Sequence, residues 1–244
     1  KEALEKKFLL KEKTDKKTIL PIIELGKKLG IETPHTIELY DNSNIQGAYA
    51  VAGMVVYKDG VPSKKDYRKY KIKTVEGPDD YASMKEVIYR RYYRLLMEQK
   101  EMADLIIVDG GLGQIKVAKE VIDSLNLPVH ICGLSKDDKH STAMLLDENG
   151  NQVPIDTKSP LFFLLTRMQD EVHRYAISFH RQVRSKSLFS SILDEVDGIG
   201  EARKKKLLNH FKSVKKMKEA TLKELEEVIP KNTALKLYEV LHKD

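Results

Sequence analysis

Leu105-Ile106-Ile107-Val108-Asp109-Gly110-Gly111 is a continuous apolar run that ends in an acid and is broken at once by two glycines. The run has no polar alternation to mark a solvent face. Bounded by segments of helical period, it has the pattern of a parallel strand buried on both sides. Upstream, Tyr81 to Gln99 carries Met84, Val87, Ile88 and Leu95 near helical spacing among Arg90, Arg91 and Arg94, with Ser83 or Asp80 as its cap. Downstream, Lys116 to Leu125 reads as a helix, Val129 to Leu134 as a second buried strand, and Ala143 to Ile155 as a hairpin turning at Asn149-Gly150. Leu161 to Val183 is the longest helical pattern, with a core stripe of Leu161, Leu165, Met168, Val172, Tyr175, Phe179 and Val183.

Ahead of the first helix the period is that of strands. Ile37 to Asp41, Ala48 to Tyr57 and Tyr67 to Thr74, the last two joined by an Asp59-Gly60 turn, predict an antiparallel meander. The order βββ-α-β-α-β-α places residues 36–188 in the α/β class, a mixed sheet flanked by helices. Residues 1–35, with nine Lys and six acids, form a charged lead-in with a helical run at Ile19 to Leu25. The serine-rich stretch Ser185 to Ser191 reads as a linker, and residues 189–244, with short helices and glycine turns, as a small all-α domain.

Composition narrows the setting. The 244 residues hold 43 Lys and Arg against 37 Asp and Glu, a net charge of +6 too mild to name a partner. No stretch approaches the roughly 18 apolar residues of a membrane span, and the start lacks the apolar core of a secretory signal. A single cysteine, Cys132, excludes an internal disulfide and a cysteine-rich zinc site, which fits a reducing, cytoplasmic setting. The first residue is Lys, so a piece of a longer protein is expected.

Two acids stand where strands end. Asp41 closes the first strand and Asp109 the central apolar run, and the carboxyl ends of neighbouring central strands lie close together. Carboxylates so placed repel unless a cation intervenes, and a hard divalent ion, Mg²⁺ or Mn²⁺, takes oxygen ligands and keeps waters able to attack a phosphate. The plainer alternative is that Asp41 caps a turn through Asn42-Ser43-Asn44 and that Asp109 only precedes a glycine turn. His173 lies one residue off the helical core stripe, about 100° round the helix, so it flanks the core. Asp170 shares its face and could orient the imidazole or help hold a metal; a structural or solvated histidine is the alternative. Gly110 to Lys116 fits neither dinucleotide nor triphosphate loop spacing, and its glycines read as letting the backbone pass close beside Asp109.

Basic residues gather in three places: Lys64, Lys65, Arg68, Lys69, Lys71 and Lys73 around the third strand; Arg167, Arg174 and Arg181, seven apart, on the long helix; and residues 203–218, with eight Lys or Arg and no acid. Singly each reads as a solvated face. Together, beside candidate metal carboxylates, they point to a nucleic-acid backbone. The tail is more specific. Val196-Asp197-Gly198-Ile199-Gly200 followed by Arg203, Lys204 and Lys205 has the helix-hairpin-helix form, whose glycine turn and helix amides hold a phosphate oxygen without reading sequence. A second unit around Val228 to Leu237 has a similar frame without the glycine pair, expected to pack against the first and to add little binding.

The block Tyr40-Asp41-Asn42-Ser43-Asn44-Ile45-Gln46-Gly47, the stretch from Tyr67 to Met84 with Asp79-Asp80-Tyr81, the block Leu105 to Gln114 and Asp170-Glu171-Val172-His173-Arg174-Tyr175-Ala176 closely resemble the C-terminal half of the UvrC family, nuclease subunits of bacterial excision repair. The resemblance covers about residues 36–244. It implies an RNase H-like endonuclease domain followed by tandem helix-hairpin-helix units, which cuts on the 5′ side of a lesion in damaged double-stranded DNA with divalent metal. It also implies partnership with UvrB and, through it, UvrA. Residue by residue it makes Asp41 and Asp109 the catalytic carboxylates, His173 the third member of the triad and Asp80 a further acid. Where the family has Ser-His after the first Asp, this chain has Ser43-Asn44. The family's other half, with the nuclease for the 3′ incision, has no counterpart in these residues.

Overall fold

The computed structural model describes residues 10–43, 50–75, 77–136 and 143–242. They fall into two compact units, Lys1–His180 and Arg181–Asp244. The larger holds one mixed sheet. Its strands in chain order are β1 (Thr36–Ser43), β2 (Val51–Lys58), β3 (Val61–Pro62), β4 (Arg68–Lys71), β5 (Leu105–Asp109), β6 (His130–Lys136), β7 (Ala143–Leu146) and β8 (Gln152–Val153). Across the sheet the order is β3-β2-β1-β5-β6-β7-β8, with β4 also on β2. β1, β5 and β6 run parallel at the centre, and β2 and β7 flank them antiparallel. The predicted architecture, an antiparallel meander leading into a parallel centre with helices, is the one found.

Side-chain alternation assigns the faces. Even-numbered residues of β1 meet α2 (Asp80–Met97), since Glu38 bonds Arg91 and Tyr92 and Asn42 bonds the Asp80 carbonyl. α3 (Leu112–Ser124) lies on that face as well, with Ile115 against Gly133 of β6. Odd-numbered residues face α4 (Pro160–Asp194). Ile37, Leu39, Leu105 and Ile107 from the strands and Leu161, Leu165, Met168 and Val172 from α4 belong to the same buried core.

Several boundaries differ from the sequence reading, each for a physical reason. The third strand, expected to reach Thr74, stops at Lys71 because the amides of Lys73 and Thr74 turn away to the Glu86 carboxylate. Despite partial desolvation, those amides, the Thr74 hydroxyl and Arg90 hold that carboxyl below the usual range. Helix α2 is capped by Asp79, whose side chain accepts from the Ala82 amide at 2.9 Å; Asp80 is its first residue and Ser83 is buried. Helix α3 starts at Leu112 and runs through Gly113, where a Cβ would come within 2.3 Å of the Tyr81 ring. The stretch 185–191 is no linker. It lies inside α4, where Phe189 and Leu193, one turn apart, are buried in the core of the smaller unit, so packing overrides the weak helical propensity of serine. The lead-in also contributes more than charge: α1 (Ile19–Leu29) buries Ile22 and Leu25 in the main core, and its Pro21 is tolerated because it lies in the first turn.

One buried ion pair ties the sheet to α2. Glu38, 2% exposed, accepts from Arg91 Nη2 at 2.7 Å and Nε at 3.1 Å through one oxygen, and from the hydroxyls of Tyr40 (2.6 Å) and Tyr92 (3.0 Å) through the other. Burial, and then the Glu38 charge, push both phenols well above their ordinary pKa, so they stay donors. Replacing Arg91 by Ala strands this carboxylate, and about 3–5 kcal/mol of stability should be lost, as read from urea denaturation.

Candidate metal centre

The parallel register sets Tyr40 beside Val108, so the next residue of each strand, Asp41 and Asp109, projects on the same face at neighbouring strand ends. The third component comes from far along the chain. His173 on α4 stands over the pair, and single donor atoms of Asp41, Asp109 and His173 all lie within 4.8 Å of one another. Asp41 is buried, Asp109 half-buried, and the His173 side chain half exposed.

Each carboxylate is held from α4. The Nδ1–H of His173 donates to Asp41 Oδ2 at 3.0 Å, and Gln169 Nε2 donates to Asp109 Oδ1 at 2.7 Å. Gln169 and His173 are four residues apart, one helical turn, so a straight helix reaches both strands. With a proton on Nδ1, a neutral imidazole keeps its lone pair on Nε2, the atom able to take a cation or a proton. Two oxygen donors and one imidazole fit a hard divalent ion that retains water. The lone cysteine has no part in this: burial pushes the Cys132 thiol well above its ordinary pKa.

The structure brings together Asp41, Asp109 and His173 and leaves other expected residues aside. Asp170 is exposed; the group that orients the imidazole is Asp41. Asp80 is outside the cluster, though its carbonyl accepts from Asn42 Nδ2 at 2.8 Å, which joins the start of α2 to the residue after Asp41. Asn44 lies outside the described residues. Gln169 is the residue that sequence reasoning misses. Its one signal is its position a turn before His173 on the same face, and a neutral amide beside Asp170 carries no charge to mark it.

The basic residues are more varied than their clustering suggests. Lys69 turns inward, its ammonium 5.0 Å from the centre of the Tyr175 ring and 5.4 Å from that of Phe179, and burial lowers its pKa. Arg167 is exposed and donates to the Lys17 carbonyl, Arg174 is exposed and paired with Glu171 at 2.9 Å, and Arg181 is exposed. In the smaller unit Gly198 adopts the left-handed conformation (φ 91°) and Gly200 precedes α5 (Glu201–Phe211). Arg203 closes this turn by donating to the Gly198 carbonyl, and Lys204 pairs with Asp194 and Glu201, so both are engaged within the protein. Lys205 is exposed. After α6 (Val214–Glu219) and α7 (Leu222–Glu226), the second hairpin starts α8 (Lys231–Leu241) from Pro230, and Thr233 packs 3.4 Å from where a Gly198 Cβ would be. The two hairpins therefore share one core, as expected.

A mixed parallel-centred sheet with two strand-end carboxylates and a helical imidazole defines an RNase H-like domain with a candidate metal centre. The model of the UvrC RNase H endonuclease domain matches residues 26–177, and that of a SAM-like helix-hairpin-helix tandem matches residues 190–243. The chain belongs to the UvrC RNase H endonuclease domain family. Similar solved structures include a Ciona intestinalis Endonuclease V in complex with an inosine-containing DNA, at 18% identity over 43% of this chain and 46% of that one, TM-score 0.32. The catalytic domain of human Endonuclease V matches at 15% identity over 64% and 84%, TM-score 0.35, and a Kluyveromyces polysporus Argonaute with a guide RNA at 15% over 56% and 20%, TM-score 0.30. The chain thus spans about half of the Ciona protein. Among the described residues no helix is long and apolar enough to cross a membrane.

If Gln169 holds Asp109 in place for the metal, Gln169→Leu should weaken Mn²⁺ binding by about 10–100-fold in calorimetric titration.

Proposed function

We propose that this chain is a divalent-metal-dependent DNA endonuclease making the 5′ incision at lesions in bacterial nucleotide excision repair, working in the cytoplasm with UvrB and, through it, UvrA. The observation that carries the reading is the convergence of Asp41, Asp109 and His173, from two parallel strands and one distant helix, within 4.8 Å. Membership of the nuclease family supports the chemistry, and the helix-hairpin-helix tandem supports double-stranded DNA as the partner.

Asp41 and Asp109 would hold Mg²⁺ or Mn²⁺. A bound ion of this kind stabilises charge on the scissile phosphate and lowers the pKa of its water. Asp41 also fixes the imidazole through Nδ1, so that Nε2 of His173 is positioned to complete the ligand set or to accept a proton from the attacking water. Gln169 keeps Asp109 turned toward the same point. Asp80, whose backbone carbonyl accepts from the Asn42 that follows Asp41, would serve as a further acid of the same activity.

DNA would be held without sequence reading. The amides of Gly200 and of the start of α5 would face a phosphate, with Lys205 near them in sequence, and Arg167, Arg174 and Arg181 would supply further charge along α4. Arg203 and Lys204 serve this surface mainly by shaping it, through Gly198 and through Asp194 and Glu201.

Asp41→Asn and Asp109→Asn should each abolish Mg²⁺-dependent nicking of a lesion duplex loaded with the partner subunits, while circular dichroism stays unchanged; nicking at the wild-type rate would contradict the site. Gly198→Ala combined with Gly200→Ala should lower DNA affinity and flatten its salt dependence in a fluorescence titration, because a phosphate contact is lost.

A further inference from the structure

Asp41 is paired across the sheet with Gly53 of β2. At Gly53 α4 comes close to the sheet: a Cβ built on it would lie 3.0 Å from both the Cα and the N of Ala176 and 3.1 Å from its Cβ. Two of these three atoms are helix backbone, which cannot swing aside as the end of a side chain would. Ala176 itself is fully buried, so the helix presents its smallest chiral side chain to a strand that presents none. Ala176 follows His173 by three residues, about 4.5 Å along the helix. The glycine that lets the helix descend is therefore the cross-strand neighbour of one metal-site carboxylate, and the helix it admits carries the imidazole that meets that carboxylate at 3.0 Å.

We propose that Gly53 is a positioning residue of the metal centre, the spacer that sets the height of α4 over β1 and β2 and so the distance from His173 to Asp41. Its φ is not in the left-handed region, so turn geometry does not require glycine here. What requires it is the approach of Ala176. A side chain at 53 lifts the helix by a few tenths of an ångström at that point, and the lift is felt one turn away at His173. A hydrogen bond and a ligand shell are more sensitive to such a shift than the apolar packing at Leu161, Leu165 and Met168 farther along the helix.

The inference rests on the metal-centre reading, and its test separates the two. Mn²⁺ affinity is measured by calorimetry on the whole chain for the wild type, Gly53→Ala, His173→Ala and the double variant, with thermal unfolding followed in parallel. Gly53→Ala should weaken Mn²⁺ binding by about 10-fold, as removal of supporting contacts around a metal does. In the His173→Ala background the same change should alter affinity by less than about 2-fold, because two changes acting through one contact are not additive. Wild-type affinity in Gly53→Ala, or an equal loss in both backgrounds, would overturn the positioning role. His173→Ala binding as tightly as the wild type would place His173 outside the ligand set and overturn this inference, whereas Asp41→Asn binding as tightly, measured in the same way, would overturn the metal-centre reading itself. Should Gly53→Ala fail to fold, Ala176→Val loads the same contact from the helix side and is read against the same outcomes.

Discussion

The parallel pairing of β1 with β5 governs everything built around it. That register places two carboxylates side by side at the ends of buried strands, where they repel one another and are partly stripped of water. The helix α4 answers with one donor for each: the imidazole N–H of His173 for Asp41 and the amide of Gln169 for Asp109. Each donor fixes the direction in which its carboxylate points. Two carboxylates held so close favour a cation between them, and the donors make that preference directional.

The remainder of the larger unit serves this geometry. On the reverse face Glu38, Arg91 and the two tyrosines lock β1 to α2 through a carboxylate whose oxygens are all engaged, so the strand carrying Asp41 is anchored three residues upstream. Asn42 ties the strand to the first turn of the same helix. On the site face the apolar stripe of α4 fixes its rotation, and the small residues at 53 and 176 fix its height. Packing on two sides thus holds three polar groups that would not stay together by their own attraction.

Much of this is legible in the sequence because apolar periodicity reports burial directly. The run at 105–108 and the stripe at 161–172 point to the sheet and the helix, and Asp41 and Asp109 stand out as acids ending such runs. What stays hidden depends on contacts between distant segments. Gly113 reads as a loop residue until the Tyr81 ring is seen beside it, and the serines of 185–191 read as a linker until Phe189 and Leu193 are found buried. Gln169 carries no charge signal, and Gly53 offers only the absence of a side chain. Arg203 and Lys204 carry a further role that charge near a hairpin does not announce, since both also bond to the protein itself.

Whether Asp41, Asp109 and His173 form one metal centre can be read from anomalous diffraction of crystals of the whole chain soaked in Mn²⁺. An anomalous peak is expected about 2.0–2.2 Å from a carboxylate oxygen of each aspartate, close to the imidazole of His173. Ordered Mn²⁺ bound elsewhere, with none between the two aspartates, would rule the centre out.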